Sequence, residues 1–132
     1  MTPRRDQRPR IALQRVYAEA REQGGHTGTR VLVDRVWPRG VRREGLHTDL
    51  WLREVAPSKE LRQWFGHDPD RWEEFTRRYR AELEHGPQRE ALGQLLDLAR
   101  GGPLTLLYGA RDTERNQAVV LREVLEQRLR GS

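Results

Sequence analysis

Cysteine is absent from the 132 residues of the chain, and lysine and methionine each occur once. The absence of cysteine excludes disulfide bonds, thiolate metal sites and cysteine nucleophiles. No apolar run approaches the roughly 18 residues that cross a membrane. The initial Met-Thr-Pro-Arg-Arg is not followed by the apolar region of a signal peptide. We therefore expect a cytoplasmic protein that does not associate with a membrane.

The sequence motifs of common catalytic and cofactor sites are missing as well. The chain has no glycine-rich nucleotide-binding motif and no His-Glu-x-x-His zinc motif. Its only serines are Ser58 and Ser132, and neither lies in a Gly-x-Ser-x-Gly motif. The four histidines, at positions 26, 47, 67 and 85, lack the spacing of metal-ligand pairs. The sequence thus predicts no metal site and no cofactor.

The positive charge is concentrated at the beginning of the chain. The net charge is +5, and residues 1–10 contribute +3 of it through four arginines and one aspartate. Of the 25 basic residues 24 are arginine, a compositional bias that makes the number of arginines a weak indication of function. We predict a basic arm over residues 1–10, followed by a single domain over residues 11–130.

Hydrophobic patterning predicts a small α/β domain, with a few-stranded, mostly parallel sheet and helices packed around it. Alternating apolar residues over 11–17 predict the first strand, and continuous apolar runs over 31–33 and 104–108 predict two more. About twelve residues join the first two strands, which leaves both a parallel crossover and a hairpin open. Residues 41–57 are predicted to be mostly loop.

Residues that open and end helices predict four helices in the second half of the chain. Helices are expected after Ser58, after the Asp68-Pro69 pair, from Pro87 and after Thr113. Gly66 suits the left-handed turn at the end of the first of these helices. The spacing of Leu61, Trp64 and Phe65 places all three on one face of that helix, and we predict that they are buried.

Charged and polar side chains cluster where the predicted strands end. They are, from the first strand to the third, Arg15; Asp34, Arg35 and Arg39; and Tyr108, Arg111 and Asp112. Ligands of open α/β sheets bind beyond the carboxyl ends of the strands. The planar guanidinium group of arginine suits carboxylate and phosphate groups. The sequence therefore predicts an arginine-rich pocket at this edge of the sheet.

We predict that this pocket binds a small anionic ligand. Arg35 and Arg39 would hold the anion, and Arg111 would neutralise further charge. Asp34 is the candidate catalytic base if the ligand is also turned over. Stacking and hydrogen-bonding partners would be Trp37, Tyr108 and Asn116.

Three alternatives stay open at this point. The charged residues could form an internal Asp34–Arg35 ion pair that holds the strand end to the helices, because a buried charge requires a partner. The chain could be a nucleic-acid-associated accessory domain that uses residues 1–10, although a solvated arm explains their charge more simply. It could also be a purely structural or interaction module. The sequence does not determine the ligand, a reaction or the oligomeric state.

Two sequence motifs resemble a known family. Residues 33–40 read V-D-R-V-W-P-R-G, and residues 56–69 read A-P-S-K-E-L-R-Q-W-F-G-H-D-P. Together they resemble the YeaO-like family of uncharacterised bacterial proteins, known as domain of unknown function 488. Arg78-Tyr79, residues 105–108 and Asn116 continue the match in order, so that it covers residues 10–129. The family has no established reaction, and the resemblance therefore implies membership but no activity.

The chain departs from the family pattern at two places. The pattern usually carries His-Asn-His-Ala where this chain has Arg115, Asn116, Gln117 and Ala118. It also favours aspartate at the position of Ala18. If the histidines transfer protons or bind a metal in relatives, the resemblance implies that this activity is impaired or different here.

Overall fold

Four parallel strands form the sheet in the computed structural model, which describes residues 11–18 and 28–131. They are β1 (Ile11–Arg15), β2 (Thr29–Leu32), β3 (Leu50–Trp51) and β4 (Leu104–Tyr108). Their spatial order is β1-β4-β2-β3, so the last strand in sequence lies between the first two. All five residues of β4 are buried, as expected for a central strand covered on both faces. The prediction of an α/β domain with a parallel sheet is confirmed.

The sheet order also decides how the first two strands are related. β1 and β2 run parallel, and each pairs with β4 rather than with the other. A hairpin between them is therefore excluded. Because all four strands point the same way, their carboxyl ends lie at one edge of the sheet. Arg15 lies at this edge and donates from Nε to the carbonyl oxygen of Ala110 at 2.8 Å.

Four α-helices pack around the sheet in the described part of the chain. They are α1 (Lys59–Phe65), α2 (Trp72–Glu82), α3 (Gly86–Gly101) and α4 (Gln117–Gly131). The Oγ atom of Ser58 accepts a hydrogen bond from the N–H of Leu61 and caps α1, which ends at Gly66 in the left-handed conformation. Asp68 and Pro69 open a single 3₁₀ turn that leads into α2. These predicted helix ends are confirmed.

The predicted start of the last helix is wrong. The side chain of Asp112 accepts hydrogen bonds from the N–H groups of Glu114 and Arg115, which holds the segment after Thr113 in a turn. The helix begins only after Asn116, whose Oδ1 atom caps it by accepting from the N–H of Val119. A second feature missing from the prediction is β3, because a strand of two residues produces no alternating pattern.

Trp64 differs from its predicted burial. Leu61 and Phe65 are buried as expected, and the ring of Phe65 stacks on Phe75 with 4.4 Å between centroids. Trp64 is only half-buried at the margin of this core. The guanidinium groups of Arg71 and Arg78 lie 5.1 and 4.3 Å from the centre of its ring. Trp64 is therefore a surface tryptophan covered by arginines.

The half-buried position of Trp64 predicts that removal of its indole ring destabilises the folded protein only modestly. Trp64→Ala should lower the free energy of unfolding by about 1–2 kcal/mol, because a half-exposed ring loses less burial than a core aromatic, for which the cost is about 3–5 kcal/mol. Trp64→Phe, which keeps a ring for the arginines to cover, should recover about half of the loss. Urea unfolding measures both values, and a loss above about 3 kcal/mol for Trp64→Ala would contradict the half-buried position.

The two remaining sequence predictions concern the basic arm and the absence of a membrane-spanning segment. The predicted basic arm, residues 1–10, lies outside the described residues. No helix in the described part of the chain is long and apolar enough to cross a membrane.

Candidate functional site

A cleft of about 600 Å³ opens beside the carboxyl ends of β2 and β4. Its walls come from the loop that follows β2, from α1 and the residues before it, and from the loop that joins β4 to α4. Its charged lining residues are Asp34, Arg35, Arg39, Arg62 and Arg115, and His67 also lines it. The volume falls in the range of small-molecule binding sites, and the position is the one expected for a ligand of a parallel sheet.

Asp34 is the only carboxylate among the described residues that line the cleft. Its Oδ2 atom accepts a hydrogen bond from the backbone N–H of Gly109 at 2.9 Å, and its Oδ1 atom accepts one from Nε2 of Gln117 at 2.5 Å. A Cβ atom at position 109 would lie 2.9 Å from Oδ2 of Asp34, so any other residue there would displace this carboxylate group. Two segments remote in sequence therefore hold this carboxylate in place.

The surroundings of Asp34 change its affinity for a proton. Burial raises the pKa of its carboxyl group from 3.8 to about 6, although the hydrogen bonds from Gln117 and Gly109 and the positive charge of Arg62 act in the opposite direction. Burial therefore outweighs the three groups that favour the ionised form. The carboxyl group is mostly ionised at pH 7, and it changes charge just below neutral pH.

Arg35 holds two loops together and does not pair with Asp34. It donates from Nε to the carbonyl oxygen of Pro57 at 3.1 Å and from Nη2 to that of Ala56 at 3.0 Å. The Asp34–Arg35 ion pair predicted as one alternative does not occur among the described residues. Arg35 lines the cleft, but two of its donors are occupied by the backbone, and its geometry favours a structural role.

Arginines from three separate elements meet in the cleft. Arg39 comes from the loop after β2, Arg62 from α1 and Arg115 from the loop before α4. The guanidinium groups of Arg39 and Arg62 make no hydrogen bond or ion pair with any of the described residues. Arg115 pairs with Asp112 at 3.2 Å. Of the predicted anion-binding residues, Arg39 is the one whose position best fits that role.

Arg62 was not among the residues predicted from the sequence. It lies within the motif of residues 56–69, next to the buried Leu61, and its own side chain is exposed. An arginine that follows a buried residue on a short helix projects away from the core. The position of Arg62 within the motif is the feature of the sequence that could have indicated a functional residue. Only the packing of α1 beside the loop after β2 directs Arg62 to the cleft.

Trp37 and Asn116 both line the cleft, but the polar atoms of both are engaged elsewhere. Trp37 donates from Nε1 to the carbonyl oxygen of Val41, and its ring also packs against Trp51 and the guanidinium group of Arg43. Asn116 is buried, caps α4 and donates from Nδ2 to the carbonyl oxygen of Asp112 at 2.8 Å. Its position therefore indicates that Asn116 shapes the cleft.

Tyr108 and Arg111 lie outside the lining of the cleft. Tyr108 is buried, its hydroxyl group is hydrogen-bonded to the side chain of Asn116, and burial raises the pKa of that hydroxyl group. Arg111 is exposed beyond the end of β4. The structure does not bring either side chain together with Arg39 and Arg62.

Gln117, the first residue of α4, is the side chain that joins this helix to Asp34. It stands at one of the two positions where the resemblance to the family pattern leads us to expect histidine, and Arg115 occupies the other. The amide group of glutamine does not exchange a proton near neutral pH, so the contact with Asp34 holds the carboxylate but cannot relay a proton. No group of three metal-ligating side chains occurs within residues 11–18 and 28–131.

Comparison with known proteins identifies the family. A family model described as "Inactive DUF488-N3 subclade" matches residues 10–132. The chain belongs to the DUF488 family. Among its DUF488 relatives, the uncharacterised protein YeaO of Escherichia coli (strain K12) is 42% identical over 116 residues, 87% of this chain and 96% of that protein. The resemblance expected from residues 33–40 and 56–69 is thereby confirmed.

Other DUF488 relatives are equally complete matches. An uncharacterised protein of Mycobacterium tuberculosis (strain ATCC 25618 / H37Rv) is 40% identical over 119 residues, 90% of this chain and 96% of that protein. An uncharacterised protein of Mycobacterium bovis matches to the same extent. No solved structure matches the chain. These relatives carry no described activity, so a function has to be argued from the cleft itself.

Proposed function

We propose that this DUF488 protein binds a small anionic ligand in the cleft without turning it over. The observation that carries the proposal is the convergence of Arg39, Arg62 and Arg115 from three elements on one cavity. Each guanidinium group offers a planar set of donors that matches a phosphate or carboxylate group. The guanidinium groups of Arg39 and Arg62 make no hydrogen bond or ion pair with the described residues, so their donors are available to an anion.

The start of α4 supports the same assignment. Its first residue, Gln117, lines the cleft, so the positive end of a 15-residue helix faces the cavity. The aligned peptide dipoles place roughly half a positive charge at this end, which favours a bound anion. The helix adds to the effect of the arginines and would not make a site without them.

Two observations favour binding without chemistry. The matching family model describes its subclade as inactive. In the cleft, Asp34 is the candidate base, and its side-chain partner is the amide group of Gln117, at a position where the family pattern usually has histidine. A carboxylate fixed by an amide group is well suited to position a ligand, and it lacks the partner that would pass its proton on.

Phosphate binding by matched variants tests the proposal. Phosphate should raise the melting temperature of the wild type and of the control Arg89→Gln, which removes an equal charge from an exposed position outside the cleft. In Arg39→Gln and Arg62→Gln the affinity for phosphate should fall about tenfold or more, because each loses a charge-assisted hydrogen bond. Without phosphate, Arg39→Gln should be close to neutral in stability.

The measurement is a series of thermal melts with increasing phosphate at constant ionic strength. The affinity of each protein follows from the concentration dependence of its melting temperature. An equal increase in all four proteins would show that phosphate acts on the folded state generally. In that case the arginines have a structural or interaction role, and the proposal fails.

A further inference from the structure

A site that binds only an anion without hydrogen-bond donors does not explain the presence of Asp34. It is the only carboxylate among the described lining residues, and its negative charge repels an anionic ligand. The cleft is nevertheless built around it, since Gly109 lacks the side chain that would displace it and Gln117 donates to it. A ligand that suits both the arginines and Asp34 must carry hydrogen-bond donors as well as negative charge.

The unused acceptor positions on Asp34 indicate how many donors the ligand presents and how they are arranged. Each oxygen of an ionised carboxylate can accept about two hydrogen bonds. Oδ1 accepts one from Gln117, and Oδ2 accepts one from Gly109. Neither oxygen accepts another from the described residues, so one acceptor position remains on each. Two adjacent donors on the ligand would satisfy both positions.

We propose that the cleft takes a sugar phosphate, with the phosphate group on Arg39 and Arg62 and two neighbouring hydroxyl groups donating to Asp34. This inference rests on the proposed function and names the class of its ligand. A vicinal diol presents two O–H donors side by side, as the two carboxylate oxygens require. Hydrogen bonds from hydroxyl groups to a carboxylate are short and strong. The carboxylate is already held in position, so little ordering is needed on binding.

The size and the remaining walls of the cleft agree with this class of ligand. A cavity of about 600 Å³ is much larger than a phosphate group alone and accommodates a sugar attached to it. Trp37, Val36 and Pro57 add apolar side chains to the lining of the cleft. Sugar rings expose C–H faces to such walls while their hydroxyl groups reach polar partners.

Ribose 5-phosphate and 2-deoxyribose 5-phosphate form the matched pair of probes, because only the first has hydroxyl groups on both C2 and C3. Calorimetric titration of the full chain at pH 7.5 and constant ionic strength should show ribose 5-phosphate binding at least tenfold more tightly. In Asp34→Asn this preference should fall below about threefold, and inorganic phosphate should bind more tightly than to the wild type because the repulsion is removed. In Arg39→Gln both sugar phosphates should weaken together.

The possible results separate this inference from the proposed function. Equal affinity of the wild type for the two sugar phosphates, or an undiminished preference in Asp34→Asn, would overturn the role of the diol while the anion site stands. If the wild type binds neither inorganic phosphate nor the sugar phosphates, the anion site itself is refuted. Thermal melts of Asp34→Asn and Arg39→Gln confirm that each variant is folded before its affinity is compared.

Discussion

Replacing Asp34 by asparagine should stabilise the protein at pH 7.5 by roughly 2–3 kcal/mol. The pKa of this carboxyl group rises from 3.8 to about 6 on folding because the group becomes buried, and each pH unit of difference corresponds to about 1.4 kcal/mol. The folded state therefore binds the proton more tightly than the unfolded state. The stabilising contribution of the protonated group is complete below about pH 4 and is lost as the pH rises to about 6. Asparagine does not titrate and avoids this loss.

Urea unfolding of the wild type and Asp34→Asn between pH 4 and 7.5 measures the effect. The two proteins should differ least at pH 4, and the difference should grow up to about pH 6.5 and then stay level. Gln117 can turn its amide oxygen toward the new amide group, so the hydrogen bond between them is kept. Asp97→Asn, at an exposed position, should stay within about 0.5 kcal/mol of the wild type at each pH. A difference of the same size at pH 4 and pH 7.5 would show that no buried carboxylate titrates here.

The second large effect is expected from Arg35→Ala, which should lower the free energy of unfolding by about 3 kcal/mol. The variant removes charge-assisted hydrogen bonds to the carbonyl oxygens of Pro57 and Ala56, which contribute about 1.5–3 kcal/mol each. Ala56 keeps a second donor, Nε2 of Gln88 at 2.8 Å, and this limits the loss. Arg35→Lys should recover less than half, because an ammonium group does not present two parallel donors.

The pH dependence of Arg35→Ala tests the assignment of backbone carbonyl groups as the partners of this arginine. Backbone carbonyl groups do not titrate, so the loss should be the same at pH 4.5 and pH 7.5. An ion pair with Asp34 would instead make the loss largest at pH 7.5 and small at pH 4.5. Arg42→Ala, at an exposed position of the neighbouring turn, is the control and should change stability by no more than about 0.5 kcal/mol.

The sequence by itself determined the elements whose signals lie within a few residues of one another. The cap at Ser58 depends on an N–H group three residues away, and the left-handed turn at Gly66 depends on the residue itself. The continuous apolar run of β4 was sufficient to predict a buried strand. The motif of residues 33–40 was likewise sufficient to place Asp34 and Arg39 after a strand, at the edge of the sheet where the cleft opens.

Only the tertiary structure decided which of these side chains meet. The two hydrogen bonds of Asp34 span 75 and 83 residues, and they exist because β4 inserts beside β2 and carries the start of α4 to the same edge of the sheet. Arg62 reaches the cleft through the packing of α1, and Arg111 does not line the cleft although it follows a strand. Patterns of hydrophobicity determine which face of an element is buried, but the order of strands and the packing of helices determine which remote residues become neighbours.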